Sequence, residues 1–140
     1  MSRQIRNNFL FLILAQGLHS IEEYMGKLWE AFPPARFLTG LVSPDHREGF
    51  IIINTGLFLF GLWCWLYPVR KNHKIARQLI FIWLVIEFIN GVGHPFWSIR
   101  LQSYTPGLAT SLLLLFLSIR ITIMFFRDNS DLYTKNKIKS

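Results

Sequence analysis

Charge is scarce in this chain: 16% of its 140 residues are Asp, Glu, Lys or Arg, against 51% hydrophobic and 16% aromatic. An ordinary soluble domain carries about 25% charged residues, so this balance is too apolar for water on all sides. The single cysteine, Cys64, lies inside the apolar run 61–66; it excludes an internal disulfide framework and reads as a small core residue. Internal repeats and low-complexity segments are missing, and the connections are too short to house a second domain, so residues 1–140 read as one domain. No phosphate-cradling glycine loop, nucleophile elbow, paired CxxC or zinc-protease helix motif occurs, which removes the common soluble chemistries.

What remains has the pattern of a membrane protein. The net charge of +7 sits at the ends of apolar segments instead of on one soluble face, so membrane lipids are the expected partner and nucleic acid is not. The first apolar stretch, about residues 9–29, could cross a ~30 Å hydrocarbon core at 1.5 Å rise per residue. Three more follow at about 50–67, 79–97 and 106–126, the second bounded by Gly49 and Pro68 and the last opened by Thr105 as cap and Pro106 in the first turn. The expected fold is all-α: a polytopic membrane protein built as a four-transmembrane-helix bundle. Residues 32–49, with Pro33, Pro34, Gly40, Pro44 and the run Asp45-His46-Arg47-Glu48, read as a connection lying partly on the membrane surface through Phe37 and Leu38. His46 and His73 read as loop residues, and Pro95 is expected to disrupt the end of the third span.

Basic residues set the orientation. One side would hold Arg3, Arg6, Arg70, Lys71, Lys74, Arg77, Arg120, Arg127, Lys135, Lys137 and Lys139, the other Lys27, Arg36, Arg47 and Arg100. That asymmetry places both termini in the cytoplasm, and the simple topology without organelle signals points to a plasma (inner) membrane. A rival reading takes the basic start and the run from Phe9 to Ala15 as a signal peptide cleaved after Gly17. Against it, the helical rhythm continues through Ile21, Tyr24, Met25, Leu28 and Trp29.

Candidate chemistry lies in two polar stripes. On the first span Gln16, His19, Glu22 or Glu23, Gly26 and Glu30 recur at spacings of three and four; on the third, Glu87, Asn90 and His94 do the same. From cytoplasmic starts near Asn8 and Gln78, His19 and Glu23 lie roughly 17 and 23 Å deep, and Glu87 and His94 about 14 and 24 Å, so the stripes are expected to meet in the outer half. Carboxylates in hydrocarbon must be paired, protonated, metal-bound or open to water. His19, Glu22, Glu23, Glu87, Asn90 and His94 form a ligand set compatible with a divalent metal such as zinc or iron. The Glu-x-x-His pattern of di-iron bundles is absent, because His19-x-x-Glu22 runs in reverse and the second and fourth spans carry no carboxylate. Acid-base catalysis by Glu22, Glu23, Glu87 and His94 on a small lipophilic molecule is the other enzymatic reading, with Trp63, Trp65, Trp83 and Trp97 able to line an apolar pocket. A proton or metal-ion transporter, which would need these short helices to form a homo-oligomer, and a structural subunit held together by the polar pairs stay open beside it.

The pentapeptide His19-Ser20-Ile21-Glu22-Glu23 resembles the motif that names the HXXEE-domain membrane proteins. Asn90, His94 and the later Tyr104-Thr105-Pro106-Gly107 are similar to that family's further elements, in the same order. The resemblance implies an integral membrane protein retaining its first helix uncleaved, and implies no activity, since none is established for the family.

Overall fold

The computed structural model describes residues 1–139, with side chains as far as Asp128, so Lys135, Lys137 and Lys139 of the orientation argument lie outside the described side chains. Its elements are α1 (Arg3–Met25), the short α2 (Leu28–Ala31) and α3 (Pro33–Gly40), α4 (His46–Cys64) continuing into a π-helical turn (Trp65–Val69), α5 (Ala76–Leu101) and α6 (Leu108–Lys139). Among the described residues there is no strand.

Steps of three and four set the packing seams. Along one face α1 buries Ile5, Phe9, Leu12 and Ile13, then Gln16, His19 and Glu23. Helix α5 buries Ala76, Ile80, Trp83, Glu87, Gly91 and His94, and α6 turns Ser111, Leu114, Ser118 and Ile121 inward. This is the inward stripe that lets helices run side by side. Helix α6 packs between α5 and α1, and α1 packs in turn on α4. A Cβ at Gly91 would lie 2.6 Å from Leu115 Cβ, so only glycine allows α5 and α6 to approach this closely.

The all-α expectation holds, and its finer form is corrected. Among the described residues three helical segments, His46–Val69, Ala76–Leu101 and Leu108–Asp128, are long and apolar enough to cross a membrane, not four. The first helix drops out on composition because Gln16, His19, Glu22 and Glu23 interrupt it. Helix α1 nevertheless runs unbroken through Gly17, the position of the rival cleavage site.

Three boundaries also move. Helix α4 starts at His46 because the Asp45 carboxylate accepts the Arg47 N–H at 2.9 Å and Glu48 lies in its first turn, so the charged run caps a helix instead of forming loop. His46 in turn has Nδ1 3.0 Å from Thr39 Oγ1, pinning α3 to α4. Pro68 does not stop the chain's helical course, which widens into a π turn with Arg70 N–H donating to the Trp65 carbonyl at 2.9 Å. Pro95 lies inside α5, which continues to Leu101 and ends at Gln102 in the left-handed region, φ 51°. The helix carries on past this proline because α6, packed along it, holds its path.

Between α1 and α4, α2 and α3 fold over the bundle end. Leu28, Trp29 and Ala35 pack with Phe50 beneath, while Phe37 and Leu38 stay exposed, as expected for a surface-lying connection.

Candidate functional site

The site begins with an electrostatic joint. The Glu22 carboxylate lies against the start of α6, where unpaired backbone N–H groups gather and favour an anion. The N–H groups of Gly107, Ala109 and Thr110 donate to it at 3.2, 3.2 and 2.9 Å, and the Thr110 hydroxyl donates at 2.5 Å. The exposed Tyr104 hydroxyl donates to the same carboxylate, and that hydrogen bond pushes its own pKa above the ordinary phenol value. Glu22 thus caps α6 and docks the turn that carries Tyr104-Thr105-Pro106-Gly107.

One residue further on, Glu23 points the other way, into the bundle. Its Oε1 lies 3.2 Å from His19 Nε2 and 3.1 Å from His94 Nε2, and all three residues are buried. The imidazole rings stand edge to face with centroids 4.8 Å apart. Gly107, at φ 94°, closes this cluster: a Cβ there would come within 2.7 Å of His94 Cε1 and 2.8 Å of His19 Cε1. Both the backbone angle and the space require glycine.

Proton accounting fixes the state of His19. Its Nδ1 lies 2.8 Å from Thr110 Oγ1. The Thr110 hydroxyl has one proton and gives it to Glu22, so Nδ1 is the donor in that contact. In neutral His19 the lone pair is therefore on Nε2, the atom facing Glu23 Oε1. Two acceptors at 3.2 Å repel each other unless a proton or a cation stands between them. His19 Nε2 and His94 Nδ1 are both buried and have no hydrogen-bond partner among the described residues.

A second polar layer lies deeper in the bundle. Glu87, fully buried, accepts from Asn90 Nδ2 at 3.3 Å, and Gln16, with its amide nitrogen turned to α5 as the network requires, donates to Glu87 Oε2 at 2.8 Å. Ser20 donates to Asn54 of α4 at 2.9 Å. Between the two layers and the α2–α3 cover lies a cavity of about 220 Å³. Gln16, Glu23, Asn54, Asn90 and His94 supply its polar wall, and Phe32, Leu38, Leu57 and Ile86 are among its apolar lining.

Of the six residues singled out as ligands, the fold brings His19, Glu23 and His94 together as a group able to hold a metal. Glu22 faces away to cap α6, and Glu87 and Asn90 pair with each other one layer below. Thr110 and Asn54 stand outside the candidates that the sequence offers, and Gly107 enters there only as part of the family's Tyr-x-Pro-Gly element. Thr110 and Gly107 sit at a helix start, where their type signals capping and not a site; Asn54 was visible as a lone amide in an otherwise apolar span.

A family model described as "Protein of unknown function with HXXEE motif" matches residues 10–121. No curated protein and no solved structure matches the chain.

Proposed function

The chain belongs to the HXXEE-motif family, and we propose that it is an integral membrane enzyme that holds one divalent metal, zinc or iron, at His19, Glu23 and His94 and acts on a small lipophilic molecule. The observation that carries this reading is the convergence of two imidazole Nε2 atoms on one carboxylate oxygen at 3.2 and 3.1 Å. Ligand atoms around a metal with bonds of about 2.0–2.1 Å stand about 3.3 Å apart on a tetrahedron, so each histidine–glutamate pair already has the spacing, and the three ligand atoms, within 4.8 Å of one another, would draw closer on binding. Two His and one carboxylate also leave coordination positions free, the mark of catalytic rather than structural sites.

The outer shell supports the same reading. A metal-binding imidazole normally donates its other N–H to a fixed acceptor, and the Glu22–Thr110–His19 chain supplies that orientation. When bound, the metal would polarise an oxygen of the ligand as a Lewis acid. Asn90, Gln16 and Asn54 line the cavity next to it and can hold a polar head while Phe32, Leu57 and Ile86 receive an apolar body.

Against conduction, Ile13, Ile80, Trp83 and Leu114, each fully buried, close the bundle beyond the two polar layers. The fourth crossing would be α1 itself: its outward residues Phe11, Leu14, Leu18 and Ile21 are apolar and exposed, whereas its site residues turn inward. Both termini would then be cytoplasmic, in a plasma membrane.

Metal content by mass spectrometry tests the centre, on detergent-purified protein never exposed to chelator. One zinc or iron per chain is expected in the wild type, and none in His94→Ala or Glu23→Gln protein that keeps its helical circular dichroism. A metal-free wild type, or equal metal in the folded variants, overturns the reading.

A further inference from the structure

A second built site lies where α1 begins and α4 ends. Arg3, Arg6 and Arg70 line one pocket of about 170 Å³ with Asn7 and Trp65. Three arginines around so small a space concentrate positive charge there, which favours an anion. None of the three has an acidic partner among the described residues, where ion pairs join Asp128 to Arg77 and Glu30 to Lys27, and Glu23 lies against the two histidines. Trp65 braces the pocket from inside: its indole N–H donates to the Arg6 carbonyl at 3.0 Å, and the Arg70 guanidinium lies 6.0 Å from the centre of its ring.

Position identifies the anion. Trp63, Trp65 and Tyr67 gather at this end of α4, followed at once by Arg70, Lys71 and Lys74, the order in which apolar surface gives way to water at a membrane boundary. At such a boundary the abundant anion is the phosphate of a lipid, and a guanidinium fork matches two phosphate oxygens at once. We propose that Arg3, Arg6 and Arg70, with the Asn7 amide beside them, bind the phosphate of an anionic phospholipid headgroup. The site stands apart from the His/Glu centre and rests only on the end of α4 lying at the membrane interface.

The test uses the full chain in mild detergent, with retained lipid counted by native mass spectrometry and affinity followed by thermal shift. Probes are dioleoyl phosphatidylglycerol, dioleoyl phosphatidylcholine and inorganic phosphate at matched ionic strength. Phosphatidylglycerol is expected to bind and stabilise while phosphatidylcholine does not, with affinity falling about fivefold for each arginine replaced in Arg70→Gln and Arg3→Gln/Arg70→Gln. Arg100→Gln, at the opposite end, should bind as the wild type does. Should the double variant not fold, Arg70→Gln alone carries the comparison, since Arg70 is exposed. Equal phosphatidylglycerol affinity in wild type and Arg70→Gln overturns the site, and equal protection by inorganic phosphate overturns the assignment to lipid.

Discussion

From Phe9 to Ala15, α1 buries hydrocarbon against Trp83, Ile80 and Leu114; from Gln16 to Glu23 the same face buries an amide, an imidazole and a carboxylate. The apolar half asks only for complementary volume. Each polar atom in the other half needs a partner, because an unsatisfied one in a membrane interior costs several kcal/mol. Neighbouring residues at this end of the bundle supply many of those partners: the Tyr104–Thr110 segment for Glu22, Thr110 for His19, Gln16 and Asn90 for Glu87. Stability would be reached more simply with apolar residues throughout. The polar half is therefore where function should be read, and the two halves should fail in different ways.

The largest effect is expected in the apolar half. Trp83→Ala should lower stability by about 3 kcal/mol, towards the low end for ring deletions, because in lipid the vacated space rather than transfer to water sets the loss. Unfolding in mixed micelles by a denaturing detergent measures it, and the folded fraction should keep its metal. Loss of metal together with stability would erase the distinction between the halves.

In the polar half Glu22→Gln should reverse that pattern. An amide cannot accept from all the N–H donors at the start of α6, so the Thr110–His19 hydrogen bond loosens, and metal affinity should fall about 10–100-fold with helical content kept. A competition titration with a chromophoric chelator reads this, and affinity within twofold of wild type would reduce Glu22 to a helix cap alone.

Tyr104→Phe should have the smallest effect, about 1 kcal/mol of stability, since it removes one exposed hydrogen bond. The ultraviolet titration offers a sharper check. Ionising the Tyr104 phenol removes the hydrogen bond it donates to Glu22 and places a second negative charge beside that carboxylate, so its titration lies above the usual value of about 10 and should return towards it in Glu22→Gln. An unchanged titration between those two proteins would show that the joint does not persist in solution.

Periodicity made the two stripes legible, and helix rise alone placed the residue at position 23 and His94 at one depth. The choice between adjacent Glu22 and Glu23 could not be made that way. Neighbours on a helix differ by about 100° in direction, and either glutamate fits a loose stripe until its partners are known. Pro95 misled for a related reason: its missing N–H argues for an end, and the packing of α5 against α6 carried the helix past it. The charged run at Asp45 was taken as loop because capping and loop use the same residue types.

The sequence by itself determined an all-helical chain with apolar helices long enough for a membrane, a buried His/Glu set and a basic end, because these follow from hydropathy and a period of 3.6. Tertiary structure alone decided that Glu23 meets both histidines while Glu22 holds α6, that Gly107 closes the cluster, and that three arginines from distant positions share one pocket. Those facts depend on how helices are rotated and offset against each other, which is set by close packing among side chains far apart in the chain.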